Sequence, residues 1–367
     1  ETGRVVAIVG GRSQNLDGLT LNRAYQSYRQ PGSSIKPLIV YAPALQLGYT
    51  PEQIVEDKKF EGGPRNSNGR YDGKITLRRA VEKSSNVVAW KIFEDITPTV
   101  GINYLKKMDF ERIDRNDYYP AASLGGFTYG TSTVEMASGF ATLANDGVYR
   151  EPTCIVKITD ANGTELVSDH VNPVPVYEEN AAREMTDILT GVLKYGTGRN
   201  LGLNNMSCAG KTGTTNDKKD GWFVGYTPYY TTSVWVGYDT PKTLSNLYGS
   251  SYPGYIWKLF MNNIHKDLEY KQFPGYISYE KPKKEEIEEE EEELEDDIDT
   301  KEEQDKTEIL DKTKDPIEDD EGMDDIDDSV DEDPANKDSE DDEPVGEDPD
   351  TVGEPPDNVG EEPEEGN

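Results

Sequence analysis

A serine and a lysine three residues apart, Ser33 and Lys36, stand in the run Pro31-Gly32-Ser33-Ser34-Ile35-Lys36. If this run opens a helix, the two side chains share a face. The helix start also presents free N–H groups and a positive partial charge beside Ser33. A serine hydroxyl becomes a good nucleophile only when a base takes its proton. The chain has two histidines, His170 and His265, and neither lies in a triad motif. Lys36 is the adjacent candidate base. An ordinary lysine, with a pKa of about 10.4, is protonated at neutral pH. Burial and a second cation nearby would lower that value.

Two more short motifs follow in order, Ser84-Ser85-Asn86 and Lys211-Thr212-Gly213-Thr214. Ser84 and Asn86 are two apart, so one helix would not put them on a common face. A tight corner between two helices can aim both into a cleft. There Ser84 would relay a proton and Asn86 would hold a substrate amide. Ser and Asn also cap helices routinely, so this motif alone carries little. In the third motif Gly213 permits close backbone approach of a ligand. Lys211, Thr212 and Thr214 would bind a carboxylate. The N–H groups of Ser33 and Thr214 would form an oxyanion hole. Single copies of such spacings are weak. Ser278-Tyr279-Glu280-Lys281 repeats the first and Ser13-Gln14-Asn15 mimics the second. The Ser33 copy stands out because Pro-Gly precedes it, Pro37 lies within the first turn and an apolar helical pattern follows.

The surrounding elements must position these groups. Val5 to Val9 reads as a buried strand, apolar and β-branched between glycines. Leu38, Ala42 and Leu45 recur at helical spacing after Ser33, and Gly48 stops the helix. Residues 49–74 read as a surface excursion. Helices are expected over about 76–83 and 86–95, with the Ser-Ser-Asn corner between them, and over 98–108, 132–145, 178–195 and 254–267. Ile155 to Ile158 alternates as a strand does, and Asp160-Ala161-Asn162-Gly163 reads as a hairpin turn. Three consecutive strand candidates cover 206–212, 221–226 and 231–238. One early strand, many helices and then consecutive strands predict an α+β fold, an antiparallel sheet packed on helices.

Charge divides the chain. Residues 281–367 hold 43 acidic and 8 basic residues, which is the whole net charge of −35, and the rest is neutral. The organisation expected is therefore a domain over 1–275 and an acidic tail over 276–367, disordered because it cannot bury enough apolar surface to offset chain entropy. No basic stripe argues for nucleic acid. Two cysteines, Cys154 and Cys208, form neither a disulfide framework nor a metal site and read as small buried side chains. No cofactor or metal is expected. No apolar run is long enough to span a membrane. The abrupt start in Glu1-Thr2-Gly3-Arg4-Val5 reads as an N-terminal truncation.

The three motifs, 51 and 127 residues apart, resemble the set found in penicillin-binding proteins and class A β-lactamases. Asn22-Arg23-Ala24, Arg29-Gln30-Pro31-Gly32-Ser33, Tyr41-Ala42-Pro43-Ala44-Leu45, Gly196-Thr197-Gly198 and Asp220-Gly221-Trp222-Phe223-Val224-Gly225 extend the likeness. Over about residues 3–270 the chain resembles the transpeptidase domain of a Gram-positive class A, bifunctional penicillin-binding protein. The resemblance implies a penicillin-binding-protein and serine β-lactamase-like fold. It implies that Ser33 attacks the terminal D-Ala–D-Ala of a peptidoglycan stem peptide, with Lys36 as base and Ser84 as relay. Asn86 and Lys211 complete the catalytic set, and Thr212, Gly213 and Thr214 bind the substrate. An amine of a neighbouring stem then takes the acyl group. β-Lactams would trap Ser33 covalently, and cell-wall or division proteins would be partners. The location implied is the extracytoplasmic face of the bacterial membrane, anchored by a segment absent from this chain. The family's glycosyltransferase domain is also absent, and the acidic tail is not part of the family pattern.

Three other readings share the motifs. A β-lactamase would need an efficient deacylating base, and Glu111 and Glu135 lie in no matching context. A D,D-carboxypeptidase would use the same residues with water as acceptor. A penicillin-binding scaffold would recruit proteins without catalysis, and intact motifs argue against it.

Overall fold

The sequence pattern that begins at Ser33 does not start as an ordinary α-helix. In the computed structural model, which describes residues 2–12, 20–168 and 172–278, Gly32–Ser34 form a 3-10 turn and Pro37–Tyr41 a wide π-turn. Pro37 has no N–H to continue a regular ladder, which is the local reason for the irregular start. A short helix, α1 (Arg23–Gln26), precedes the turn, and α2 (Ala42–Gln46) continues from it. Ile35, Leu38, Ile39, Val40, Tyr41 and Ala42 are fully buried. The nucleophile candidate therefore sits at the mouth of a helix threaded through the core. Gly48 follows that helix with φ of 94°, a left-handed backbone suited to glycine.

Strands β1 (Ile54–Asp57) and β2 (Gly73–Thr76) pair antiparallel and lead into α3 (Leu77–Lys83). Thr76 caps α3 by accepting from Arg79 N. After the corner come α4 (Asn86–Asp95), α5 (Pro98–Lys107) and α6 (Thr133–Ala144). Ser132 and Glu135 close a capping box at α6. Strand β3 (Val148–Tyr149) pairs with β6 (Val174–Pro175), and β4 (Lys157–Thr159) pairs with β5 (Glu165–Ser168). The amphipathic α7 (Glu179–Tyr195) lies against the main sheet and α3. That sheet is β7 (Ala209–Thr214), β8 (Asp220–Tyr226) and β9 (Thr231–Gly237), all antiparallel, and α8 (Tyr252–Ile264) packs on it. The α+β architecture with an antiparallel sheet flanked by helices is as expected. The described residues belong to one compact unit, residues 1–281.

Three expectations need correction. Val5 to Val9 is not a buried strand. Only Arg4 bridges Thr153, and Val6 and Val9 are 76% and 77% exposed. An apolar, β-branched run specifies extended backbone but not the partner strand that would bury it. The 153–168 segment does form the expected hairpin, yet Ile155, Val156, Ile158, Leu166 and Val167 are all exposed, because β4 and β5 pair only with each other. Cys154 is exposed on this arm and Cys208 half-buried; both are free thiols. Residues 49–74 are not a mere surface excursion, since they contain β1, β2 and the buried side chains of Asp57 and Asn66. The expectations for Ser13-Gln14-Asn15, His170 and the tail from Tyr279 onward fall outside the described residues. Among the described residues no helix is long and apolar enough to cross a membrane.

Candidate active site

Three separate elements bring the three motifs together. The turn before Ser33 is clamped to the sheet. Arg29 Nε donates to Asp220 Oδ1 at 2.8 Å, Trp235 Nε1 donates to the same oxygen at 3.0 Å, and Trp222 Nε1 donates to Gln30 O at 2.9 Å. On its other side Arg29 exchanges backbone hydrogen bonds with Thr131. Gly32, at φ of 57°, lies so close to β7 that a Cβ there would come within 3.0 Å of the Thr214 backbone. Ser33 and Thr214 are thereby neighbours across a seam between helix and strand. Ser33 is half-buried, and its hydroxyl makes no hydrogen bond among the described residues. The adjacent Ser34 is buried and donates to Pro31 O at 2.8 Å.

Lys36 and Lys211 are both fully buried and converge on the Ser84 corner. Lys36 Nζ donates to Asn86 Oδ1 at 2.7 Å, to Ser84 O at 3.1 Å and to Ser85 O at 3.2 Å. Lys211 Nζ donates to Ser84 Oγ at 2.9 Å and to Thr212 O at 3.0 Å. Ser84 adopts left-handed backbone, φ 57° and ψ 40°, where α3 ends, and Ser85 caps α4 by accepting from Val88 N. This break in the helix puts the Asn86 side chain and the Ser84 carbonyl on Lys36, and the Ser84 hydroxyl on Lys211. Burial pushes the Lys36 ammonium well below its ordinary pKa, and the charge of Lys211 adds to the effect. Burial pushes Lys211 down to about 7. No carboxylate neutralises either lysine through an ion pair among the described residues.

The third motif lies wholly on β7, two residues beyond the end expected for that strand. Thr212 Oγ1 shares a 2.6 Å hydrogen bond with Thr197 Oγ1, and Thr214 Oγ1 accepts from Gly249 N at 2.9 Å. Gly213 faces the Ser33 turn, where a Cβ would sit 2.3 Å from Pro31 O and 3.0 Å from Ser34 Oγ. The two histidines stand apart from this chemistry: His265 is buried between Thr227 Oγ1 and Met261 O, and His170 is outside the described residues. Glu135 is held by Ser132 and the backbone of Glu111, while Glu111 accepts from Tyr28 OH at 2.5 Å. Neither carboxylate hydrogen-bonds to a motif residue. Among the described residues no group of three or more His, Cys, Asp or Glu could hold a metal ion.

Two buried lysines thus meet at the Ser84 corner, beside the seam that carries the half-buried Ser33. Residues 1–262 match the family described as the penicillin binding protein transpeptidase domain. The chain belongs to that family. It is 36% identical over 262 residues to penicillin-binding protein 4 of Bacillus subtilis, covering 70% of this chain and 42% of that protein. It is 35% identical over 297 residues to penicillin-binding protein 1A of Clostridium tetani, covering 74% and 37%. The chain thus spans about two fifths of the length of these relatives. Among solved structures it is similar to the PonA1 protein of Mycobacterium tuberculosis in complex with penicillin V. The TM-score is 0.63 with 26% identity, covering 72% of this chain and 76% of that one.

Within this penicillin-binding transpeptidase domain, motif reading alone did not find the residues that brace the motifs. Thr197 supports Thr212 and is itself fixed, because its N–H donates to Glu82 O. Its signal was the Gly196-Thr197-Gly198 run, noted only as family likeness. Asp57 and Asn66 lie behind the Ser84 corner, and no local pattern marks them. Gly213 offers a direct test of the seam. Gly213→Ala forces a methyl group into the Pro31 carbonyl, so strand and turn must separate. Overpacking of this kind costs about 1–3 kcal/mol. A displacement of about 1 Å between reacting groups costs roughly 100-fold in rate. A penicillin acylation rate near that of the unaltered protein would show that the seam does not set the reactive geometry.

Proposed function

We propose that this domain is a serine D,D-transpeptidase that crosslinks peptidoglycan stem peptides and that β-lactams inhibit by acylating Ser33. The observation that carries the reading is the pair of buried lysines converging on Ser84, one on its carbonyl and one on its hydroxyl. Neutral Lys36 takes the Ser33 proton as Oγ attacks the carbonyl between the two terminal D-Ala residues. Burial favours that neutral form. Ser84, its hydroxyl held by Lys211, gives its proton to the nitrogen of the departing D-Ala and is reprotonated by Lys36, which returns to the neutral amine. Lys211, Thr212 and Thr214 receive the terminal carboxylate. The N–H groups of Ser33 and Thr214 stabilise the oxyanion in a preorganised site. A stem-peptide amine then attacks the ester and restores the Ser33 hydroxyl.

The parent protein is read as class A and Gram-positive, membrane-anchored on the extracytoplasmic face and carrying a glycosyltransferase domain. Support comes from the fact that the Bacillus and Clostridium relatives are more than twice the span matched here. The catalytic part is taken as 1–275, with 276–367 as an acidic appendage. Cell-wall or division proteins are proposed as further partners.

The test is to incubate the domain with a D-Ala–D-Ala-terminated pentapeptide and an amine acceptor, following both D-Ala release and the new amide by mass spectrometry. Crosslinked product is the expected outcome. D-Ala release with water as sole acceptor would replace the assignment by D,D-carboxypeptidase. Acylation by penicillin with no D-Ala release from any stem peptide would leave a non-catalytic penicillin binder.

A further inference from the structure

Asp57 and Asn66 are buried and polar, and the proposed mechanism does not use them. Asp57 ends β1 opposite Gly73 and is 1% exposed. Its Oδ1 accepts from Asn66 Nδ2 at 2.8 Å and from Ser85 Oγ at 3.0 Å, and its Oδ2 accepts from Asp72 N at 3.1 Å. No cation pairs with it among the described residues. Asn66 comes from the loop between β1 and β2 and spends every hydrogen-bonding site. Its Nδ2 also donates to Arg70 O at 2.8 Å. Its Oδ1 accepts from Asn86 N at 2.8 Å and from Val87 N at 3.3 Å, with Ser85 Oγ, whose one proton goes to Asp57, 3.3 Å away.

Those two N–H groups are the first of α4, which a helix leaves without internal partners. Satisfying them explains helix capping, and Ser85 already supplies an ordinary cap. The second asparagine does more. It fixes the backbone of Asn86 from one side, while the Asn86 side chain is fixed from the other: Nδ2 donates to Arg65 O at 2.9 Å, in the same loop, and Oδ1 holds Lys36. The loop thus grips Asn86 at both its backbone and its amide, and Asp57 anchors the loop residue that does so. A fully satisfied buried network of this kind rigidifies what it holds.

We propose that Asn66, anchored by Asp57, is a positioning residue for acylation: it fixes the Ser85–Asn86 corner so that Asn86 Oδ1 and one corner carbonyl take the two N–H donors of neutral Lys36 and leave its lone pair for the Ser33 proton. The inference rests on Lys36 being the base. Asn66 acts through Asn86 and touches no reacting atom.

The test uses penicillin acylation under saturating conditions, with the labelled end point and thermal melting recorded for each variant. Asn66→Ala is expected to lower the limiting acylation rate about 10–100-fold while the end point still reaches one label per chain. Asp57→Asn keeps an acceptor oxygen for Asn66 and Ser85, giving up only the acceptor for Asp72 N, and is expected to stay within about threefold of the unaltered protein, with Asp57→Ala falling below it. A folded Asn66→Ala protein acylating within twofold of the unaltered rate would overturn the proposal. So would a deficit visible only in the end point, since that is lost folded protein and not lost alignment. If Asn66→Ala does not fold, equal limiting rates for Asp57→Asn and Asp57→Ala overturn it instead. Absence of labelling in the unaltered protein would sink the serine-acylation reading itself, a distinct failure.

Discussion

Ser33→Ala removes covalent labelling by a fluorescent penicillin entirely and leaves the melting temperature of the domain unchanged within about a degree. The first half follows from the geometry around the turn. The next residue, Ser34, is buried and committed to Pro31 O, so it cannot take over. The Ser84 hydroxyl is held by Lys211 Nζ, and Thr214 Oγ1 accepts from Gly249 N. With no substitute nucleophile, the loss is the full enhancement of the acylation step, at least about 10⁴-fold. The second half follows from the hydroxyl having no hydrogen-bond partner among the described residues. Its removal leaves no buried donor unsatisfied, and such changes typically alter stability by less than about 0.5 kcal/mol. The measurement is label on a denaturing gel beside a melting curve. Undiminished label in Ser33→Ala would move the nucleophile elsewhere. Label on the unaltered protein should persist, because Glu111 and Glu135 are both engaged away from the motif residues and cannot activate a hydrolytic water there. Rapid loss of label would favour a β-lactamase.

The placement of these motif residues was readable in sequence because each motif is short and its geometry local. Ser33 and Lys36 sit in one turn, and Lys211 to Thr214 lie on one strand. The Ser84–Asn86 corner was readable too, since two adjacent helical patterns with polar capping residues between them leave few other conformations. The helical core around Leu38 and the three final strands followed from periodicity. What stayed hidden depends on contacts between distant parts of the chain. Asp57 and Asn66 lie in a stretch rich in Gly, Asn and Lys, and their composition signals surface. Only the folded arrangement shows that the polar groups of that loop satisfy the start of α4. Val5 to Val9 failed in the opposite way: the strand pattern was real, but nothing in the pattern supplies the neighbour that would bury it. The same applies to Cys154, whose small apolar side chain says nothing about the exposed arm that carries it.

The second large effect concerns the lysines, and it separates stability from activity. Lys36→Met should lower penicillin acylation by about 10³–10⁴-fold, the upper part of the range for losing a general base, with Ser33 still in place. Lys211→Met should cost less, about 10²–10³-fold, because Ser84 and the carboxylate site lose a donor while the base remains. It should also displace the acid limb of the acylation profile. Lys211 carries one of the charges that lowers Lys36, so removing it raises the Lys36 pKa and moves the limb to higher pH. The stability effect runs the other way. Lys211 is pushed down to about 7 in the folded protein, while an unfolded lysine titrates near 10.4. Between those values the unfolded chain binds more protons, so this group makes stability rise with pH, and its burial penalty is complete below about pH 7. Lys211→Met removes the penalty and the slope together. The variant should therefore melt higher than the unaltered protein at pH 6, and the difference should shrink as pH approaches 10. Melting curves at four or five pH values beside acylation rates at the same pH test both claims. A variant less stable at pH 6 would mean that the hydrogen bonds to Ser84 and Thr212 outweigh the cost of burying the charge. An unmoved acid limb would mean that Lys36 titrates independently of its neighbour, and the two lysines would then not act as the coupled pair that the proposed mechanism requires.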